Sequence, residues 1–181
     1  MSSGERYGVV VFGATGTTGA VCASYLHEKF SPSGIAWAIA GRNRQKLEQL
    51  REKISRESKT DCKCAIIIAD CTDASSMEAM TAKARAILTT AGPYFYYGEP
   101  VIKACISTGT HYLDITGEVD WVQRMKRKYD SAARKAGVCI TNFCGYDCIP
   151  AELSVFLANQ ALGDGYKLES AGRNTKPIEE G

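Results

Sequence analysis

Seven residues near the amino terminus, Gly13-Ala14-Thr15-Gly16-Thr17-Thr18-Gly19, constrain this chain more than any other stretch. They follow the β-branched run Tyr7 to Phe12 and open an amphipathic stretch, Thr17 to Lys29. Glycines spaced this way between a strand and a helix answer three steric needs. Gly13 permits a tight turn, Gly16 lets a phosphate approach the backbone, and Gly19 lets the helix pack closely on the strand. The first N–H groups of a helix have no acceptor within it, so the loop offers donors to an anion. A glycine-rich turn without a ligand is the plainer alternative, and the strand–loop–helix–strand context argues against it.

The rest of the chain continues the alternation. Strands are expected at 7–12, 35–40, 64–69, 86–90, 111–115 and 138–143. Helices are expected at 17–29, 44–57, 75–83, 99–107, 119–136 and 150–162, with Pro100 in a first turn and Gly137 closing the long fifth helix. Near-continuous apolar strands alternating with helices imply a parallel sheet covered on both faces. The fold class is therefore α/β, a doubly wound parallel sheet of the Rossmann, NAD(P)-binding type. At 181 residues the chain fits one domain, or one domain and the opening of another. Residues 1–163 are read as the dinucleotide-binding domain, and 164–181 as the start of, or linker to, a missing substrate and dimerisation domain. Within that tail Lys167 to Ala171 could begin a strand, and Arg173 to Gly181 is polar.

Composition narrows the partners. Hydrophobic residues at 45% and charged residues at 23% are enough for a six- or seven-stranded core. A net charge of +2 without a long basic run argues against nucleic acid. The basic residues from Arg124 to Lys128, with Arg134 and Lys135, recur at helical spacing and read as a solvated helix face. No apolar run approaches the ~18 residues of a membrane span. Met1 to Arg6 lacks the apolar segment of a secretory signal, so a cytosolic location, or the cytosolic face of a membrane or lipid droplet, is expected. Of the eight cysteines none forms a CxxC pair. Cys22, Cys105 and Cys139 fall in periodic apolar segments, where a thiol acts as a small hydrophobe. Cys62 and Cys64, or Cys144 and Cys148, lack partners for zinc, with His27 and His111 the only histidines. Free thiols and no metal are expected.

The second strand ends Ala40-Gly41-Arg42-Asn43-Arg44. NAD-binding folds place a carboxylate there for the ribose 2′-hydroxyl, and here there is none. Arg42 can clamp a 2′-phosphate with charge-assisted bonds, helped by Arg44 or Lys46, so the expected cofactor is NADP(H). Asp70 either meets the adenine or caps the next helix. The turn Thr89-Thr90-Ala91-Gly92-Pro93-Tyr94 is small enough for its backbone to pass close to the cofactor. The expected cofactor site is thus Gly13, Ala14, Thr15, Gly16, Thr17, Thr18, Gly19, Arg42, Asn43, Asp70, Ala91, Gly92 and Pro93. Tyr94, Asp114, Glu118 and Asp147 stand at strand ends as candidates for proton transfer or orientation, with Tyr94 and Asp147 the catalytic pair. The alternatives are that Asp114 and Glu118 cap the helix that follows and that Asp147 fixes the turn before Pro150. Tyr25 and Lys29 match the Tyr-xxx-Lys pair of short-chain dehydrogenases but lie on the first helix, where Tyr25 reads as core. That misplacement speaks against an epimerase or dehydratase of the short-chain type.

Several blocks together resemble the saccharopine dehydrogenase-like oxidoreductase family, which includes the mycobacterial trans-acting enoyl reductases. They are Val9 to Gly16, Trp37 to Asn43, Gly92-Pro93-Tyr94, Tyr97 to Val101, Gly109 to Glu118 and Cys144 to Pro150, in the family's order. Thr17 replaces an aromatic residue usual in the family, and Cys148 a frequent serine, which puts any hydroxyl-dependent role of that turn in doubt. The resemblance implies an NADP-linked reductase fold whose members continue well beyond residue 181 into a substrate and dimerisation domain. It also implies that Pro93-Tyr94 and Gly145-Tyr146-Asp147 line the reaction cleft, and that some eukaryotic members associate with membranes or lipid droplets. The expected function is hydride transfer to a carbonyl, imine or enoyl substrate, unassigned and lipid-related by resemblance, in a homodimer. The alternative is a non-catalytic nucleotide-binding scaffold at a membrane or lipid-droplet surface.

Overall fold

The computed structural model describes residues 6–162, so the tail read above as a linker, with its candidate strand at 167–171, lies outside the described residues. The elements run β1 (Tyr7–Phe12), α1 (Thr17–Ser33), β2 (Trp37–Gly41), α2 (Arg44–Ser58), β3 (Ala65–Ile68) and α3 (Ala74–Thr81). They continue with β4 (Ala84–Thr89), α4 (Tyr94–Thr108), β5 (His111–Asp114), α5 (Val119–Lys135), β6 (Ile140–Thr141) and α6 (Ile149–Leu162). The chain divides into two compact units at Cys144/Gly145. In the second, a turn at 145–148 leads into α6, with Cys148 N–H and Ile149 N–H both donating to the Gly145 carbonyl.

All six strands are parallel, in the order β3-β2-β1-β4-β5-β6. The two-residue side-chain period of a strand explains how one sheet feeds two cores. On β1, Val10 and Phe12 join Ala38, Ala40, Met77, Met80, Val101, Ile102, Trp121 and Met125, the core under α3, α4 and α5. Val11 points the other way, with Trp37, Ile39, Ala23, Leu26, Leu47, Leu50 and Ile54 under α1 and α2. Each fully buried valine, leucine, isoleucine or methionine among them contributes roughly 1.5–3 kcal/mol, so both faces of the sheet are driven shut. The buried Cys62 and Cys64 thiols, 3.5 Å apart, extend the second core. Of the other thiols assigned to apolar segments, Cys105 is buried, Cys22 half-buried and Cys139 exposed, a departure caused by its place on the edge strand's flank.

Three expectations change. Helix α4 starts at Tyr94, five residues before the expected Glu99, so Pro100 lies inside it rather than in its first turn. Tyr25 is 59% exposed, not core, because the buried stripe of α1 runs through Ala23, Leu26 and His27; its ring meets Lys29 Nζ at 5.6 Å instead. The last strand of the sheet shrinks from 138–143 to Ile140–Thr141. The basic positions of α5 do face solvent, Arg134 pairing with Asp130 at 2.8 Å and Lys128 with Glu99 at 2.7 Å.

Candidate functional site

β1 and β4 are neighbours whose connections leave in opposite directions across the sheet, and a crevice forms where such strand order reverses. At the carboxyl ends of these strands lies a cleft of about 310 Å³. Its walls come from the β1 loop (Gly13, Thr15, Gly16), the end of β2 (Gly41, Arg42), the end of β3 (Asp70, Cys71), the turn after β4 (Thr90, Ala91, Gly92) and Tyr97 of α4.

The loop's shape is set by steric contacts. Gly13 holds φ at +79°, and a Cβ there would come within 2.9 Å of the Ala91 nitrogen. A Cβ on Gly19 would stand 2.8 Å from both Ala14 Cα and Thr90 Oγ1. The loop is tied to its neighbours by Gly13 N–H donating to the Ala40 carbonyl at 3.1 Å and by the Thr90 hydroxyl donating to the Gly13 carbonyl at 3.2 Å. Gly16 differs, since a Cβ there would have only the Gly13 carbonyl oxygen, at 3.4 Å, near it on the protein side. Its bare backbone faces the cleft, the shape a pyrophosphate requires.

Of the residues expected to bind the cofactor, Gly13, Thr15, Gly16, Arg42, Asp70, Ala91 and Gly92 line this cleft. Ala14, Thr17, Thr18, Gly19, Asn43 and Pro93 do not. Gly19 instead lets α1 sit against the β1–β4 turn. The Asn43 side chain accepts from Lys46 N–H at 3.0 Å, capping α2. Arg42 makes no salt bridge among the described residues, and Asp70 is the charge it feels. Asp70 does not cap α3; Asp73 does, accepting from the Ser75 and Ser76 N–H groups. The Asp70 carboxylate accepts from Thr72 N–H and Thr72 hydroxyl, each at 2.9 Å. Those bonds, with Arg42, hold its pKa below the usual carboxylate value.

The acidic residues after β5 are arranged otherwise than expected. Asp114 does not cap α5. It is fully buried, accepting from Tyr112 hydroxyl (2.8 Å), Asn142 Nδ2 (2.6 Å), Thr116 N–H (3.1 Å) and Phe143 N–H (3.2 Å). Burial raises its pKa above 3.8 against the pull of those donors. The folded carboxyl therefore holds its proton to higher pH than the unfolded one, and its contribution to stability falls as pH climbs from about 3.8 through the raised value. Asp114→Asn is expected to flatten that slope in urea unfolding measured across pH. Asp114→Ala, which strands several buried donors, costs about 3 kcal/mol at neutral pH in the same assay.

Glu118 stands before α5 but makes no capping bond to it. Its two carboxylate oxygens accept from Tyr94 N–H and Phe95 N–H, each at 2.8 Å, and so cap α4 across the loop. Glu118→Ala is expected to lower unfolding stability by about 1 kcal/mol, as loss of a cap does, with Glu118→Gln keeping part of it. Tyr94 itself is buried. Its hydroxyl donates to the Thr89 carbonyl at 3.0 Å and accepts from Ile115 N–H at 3.4 Å. Burial pushes its phenol up to about 12. The hydroxyl expected to act as an acid is thus committed to the backbone, and the tyrosine lining the cleft is Tyr97. Asp147 is exposed, in the turn that opens the second unit.

Sequence reasoning missed Tyr97, Thr90 and Cys71 as cleft residues. The signal for Tyr97 was the stripe Tyr94, Tyr97-Gly98, Val101, which continues the helical period back to Pro93. Among the described residues no three of His, Cys, Asp or Glu gather to hold a metal, and no helix is long and apolar enough to cross a membrane.

A parallel sheet in this order, with a phosphate-shaped glycine loop and an arginine in one cleft, defines a dinucleotide-binding domain. Comparison with known proteins identifies which kind. Residues 9–141 match the model of the family described as "Saccharopine dehydrogenase NADP binding domain", and the chain belongs to that family. NADP(H) is accordingly its cofactor, a small-molecule ligand that the cleft's residues fit. The chain is 40% identical over 168 residues to a "Lipid droplet localized protein" of Caenorhabditis elegans, covering 92% of this chain and 39% of that protein. It is 40% identical over 170 residues to a human "Saccharopine dehydrogenase-like oxidoreductase", covering 90% of this chain and 40% of that protein. It spans about two fifths of the length of these curated relatives. The fold matches saccharopine dehydrogenase (L-Glu forming) from Saccharomyces cerevisiae with a TM-score of 0.64 at 19% identity, over 84% of this chain and 30% of that one.

Proposed function

We propose that this chain is the cofactor-holding part of an NADP(H)-dependent oxidoreductase that reduces a carbonyl, imine or enoyl group. The observation that carries the reading is Arg42, without a salt bridge among the described residues, in the same cleft as Gly13 and Gly16. In this reading the loop Gly13 to Gly19 receives the pyrophosphate on the N–H groups of Thr15, Thr17 and Thr18, the Ala14 N–H being held by the Ala40 carbonyl, and Arg42, backed by Asn43, takes the 2′-phosphate. Asp70 meets the adenine amine, and Ala91, Gly92 and Pro93 back the other half of the molecule. Bound NADPH supplies the hydride, and the protein supplies position and a proton. Asp147, an exposed carboxylate, is the proposed proton-transfer group. Tyr94 holds the first turn of α4 in place.

Residues 164–181 lead in this reading into a domain that supplies the substrate site and a homodimer contact. A lipid-related substrate goes with this reading, and the name of the worm relative supports a place on a lipid-droplet surface. The test is a fluorescence titration of this chain with NADPH, expected to saturate. Absence of any saturable change sinks the cofactor reading. Steady NADPH oxidation by the longer protein with one of a panel of carbonyl, imine and enoyl lipids is expected, and binding without turnover across that panel counts against the reductase reading.

A further inference from the structure

We propose that Tyr97 contacts the cofactor, its ring forming the wall against which the nicotinamide riboside half of NADP(H) lies. The proposal rests on the dinucleotide reading above and follows from sheet order. β1 stands between β2 and β4. With the pyrophosphate at the β1 loop and the 2′-phosphate at Arg42 on the β2 side, the other half of an extended dinucleotide falls over the β4 end. The cleft wall there is Thr90, Ala91, Gly92 and Tyr97.

The rotation of α4 fixes where that ring points, and three contacts fix the rotation. Tyr94 hydroxyl is bonded to the Thr89 carbonyl, Glu118 caps the first turn, and Gly98 lies under Trp121, where a Cβ would come within 2.7 Å of the indole Cη2. Tyr94 and Gly98 therefore face inward, and Tyr97 falls beside them at the margin of the buried stripe. It is 39% exposed, and among the described residues its hydroxyl has no hydrogen-bond partner. The other aromatic ring in the cleft wall, Phe12, is buried in the core. A flat ring held on a rigid helix stacks on a planar ligand at low entropic cost.

The experiment titrates this chain, its Tyr97→Ala and Tyr97→Phe variants and an Arg42→Ala control. The two ligands are NADPH and adenosine 2′,5′-bisphosphate, which carries the 2′-phosphate but no nicotinamide. Tyr97→Ala is expected to weaken NADPH about five- to tenfold and to leave the bisphosphate within about twofold. Tyr97→Phe keeps the ring and is expected to keep both affinities, whereas Arg42→Ala weakens both ligands. Circular dichroism establishes that each variant is folded. Equal losses for both ligands in Tyr97→Ala, no loss for either, or a loss of NADPH affinity in Tyr97→Phe matching that of the alanine variant, overturns the proposal. If the unsubstituted chain binds neither ligand, the dinucleotide reading fails and this proposal with it.

Discussion

Arg42→Ala is expected to weaken NADPH binding by about 10- to 100-fold while leaving NADH within about twofold, measured by fluorescence titration of both cofactors. The size follows from charge-assisted hydrogen bonds to a phosphate, worth about 1.5–3 kcal/mol. The selectivity follows from placement. Gly41 pairs with Ile68 in the sheet and Asn43 caps α2, so the backbone on either side of Arg42 is pinned. The backbone is thus already set when a phosphate arrives, and only the Arg42 side chain has to be ordered. Its removal also takes away the positive charge that Arg42 sets beside the Asp70 carboxylate. Parallel losses for NADPH and NADH would falsify the assignment and point to damage in the loop itself.

Gly19→Ala is expected to cost about 3 kcal/mol of unfolding stability, the upper end for overpacking a tight contact, and to abolish NADPH binding with it. The new methyl meets backbone, at Ala14 and Gly13, and the Thr90 hydroxyl that is itself tied to the Phe12 and Gly13 carbonyls. None of these is the loose end of a flexible side chain, so the start of α1 must back away from β1. Gly117→Ala is the control, for a Cβ there has nothing within 4 Å. Equal stability of the two variants in urea unfolding shows that the loop yields more readily than its contacts imply.

The parts of the fold readable from sequence were those decided by neighbours along the chain. The bounds of β1 match because its residues are apolar throughout and a glycine ends it. The glycine loop was legible because three glycines at fixed spacing leave few backbone paths. The start of α4 was not. Pro100 offered a local start signal, while the true start relies on Glu118, 23 and 24 residues away from the amides it caps. Asp114 was obscured in the same way, since Asn142 and Phe143 reach it from beyond α5. Tyr25 shows a different limit, for the stripe of α1 is weakly patterned and its buried polar member, His27, occupies a place that periodicity assigns to an apolar residue. In the site, residues set by strand ends were found, and Tyr97 was lost because it depends on the phase of a helix begun too late.

The cap that Glu118 places on α4 has a consequence for how such a domain can change. The segment from Asp114 to Glu118 is anchored at one end in the sheet and at the other on a helix belonging to a different crossover. Its length is set by two fixed points, so a residue added or removed there uncouples both at once. Loss of the acceptor at position 118 therefore uncaps a helix of the neighbouring crossover, not the one that position 118 itself opens. Position 118 thus makes the opening of one crossover depend on the end of the strand that follows it.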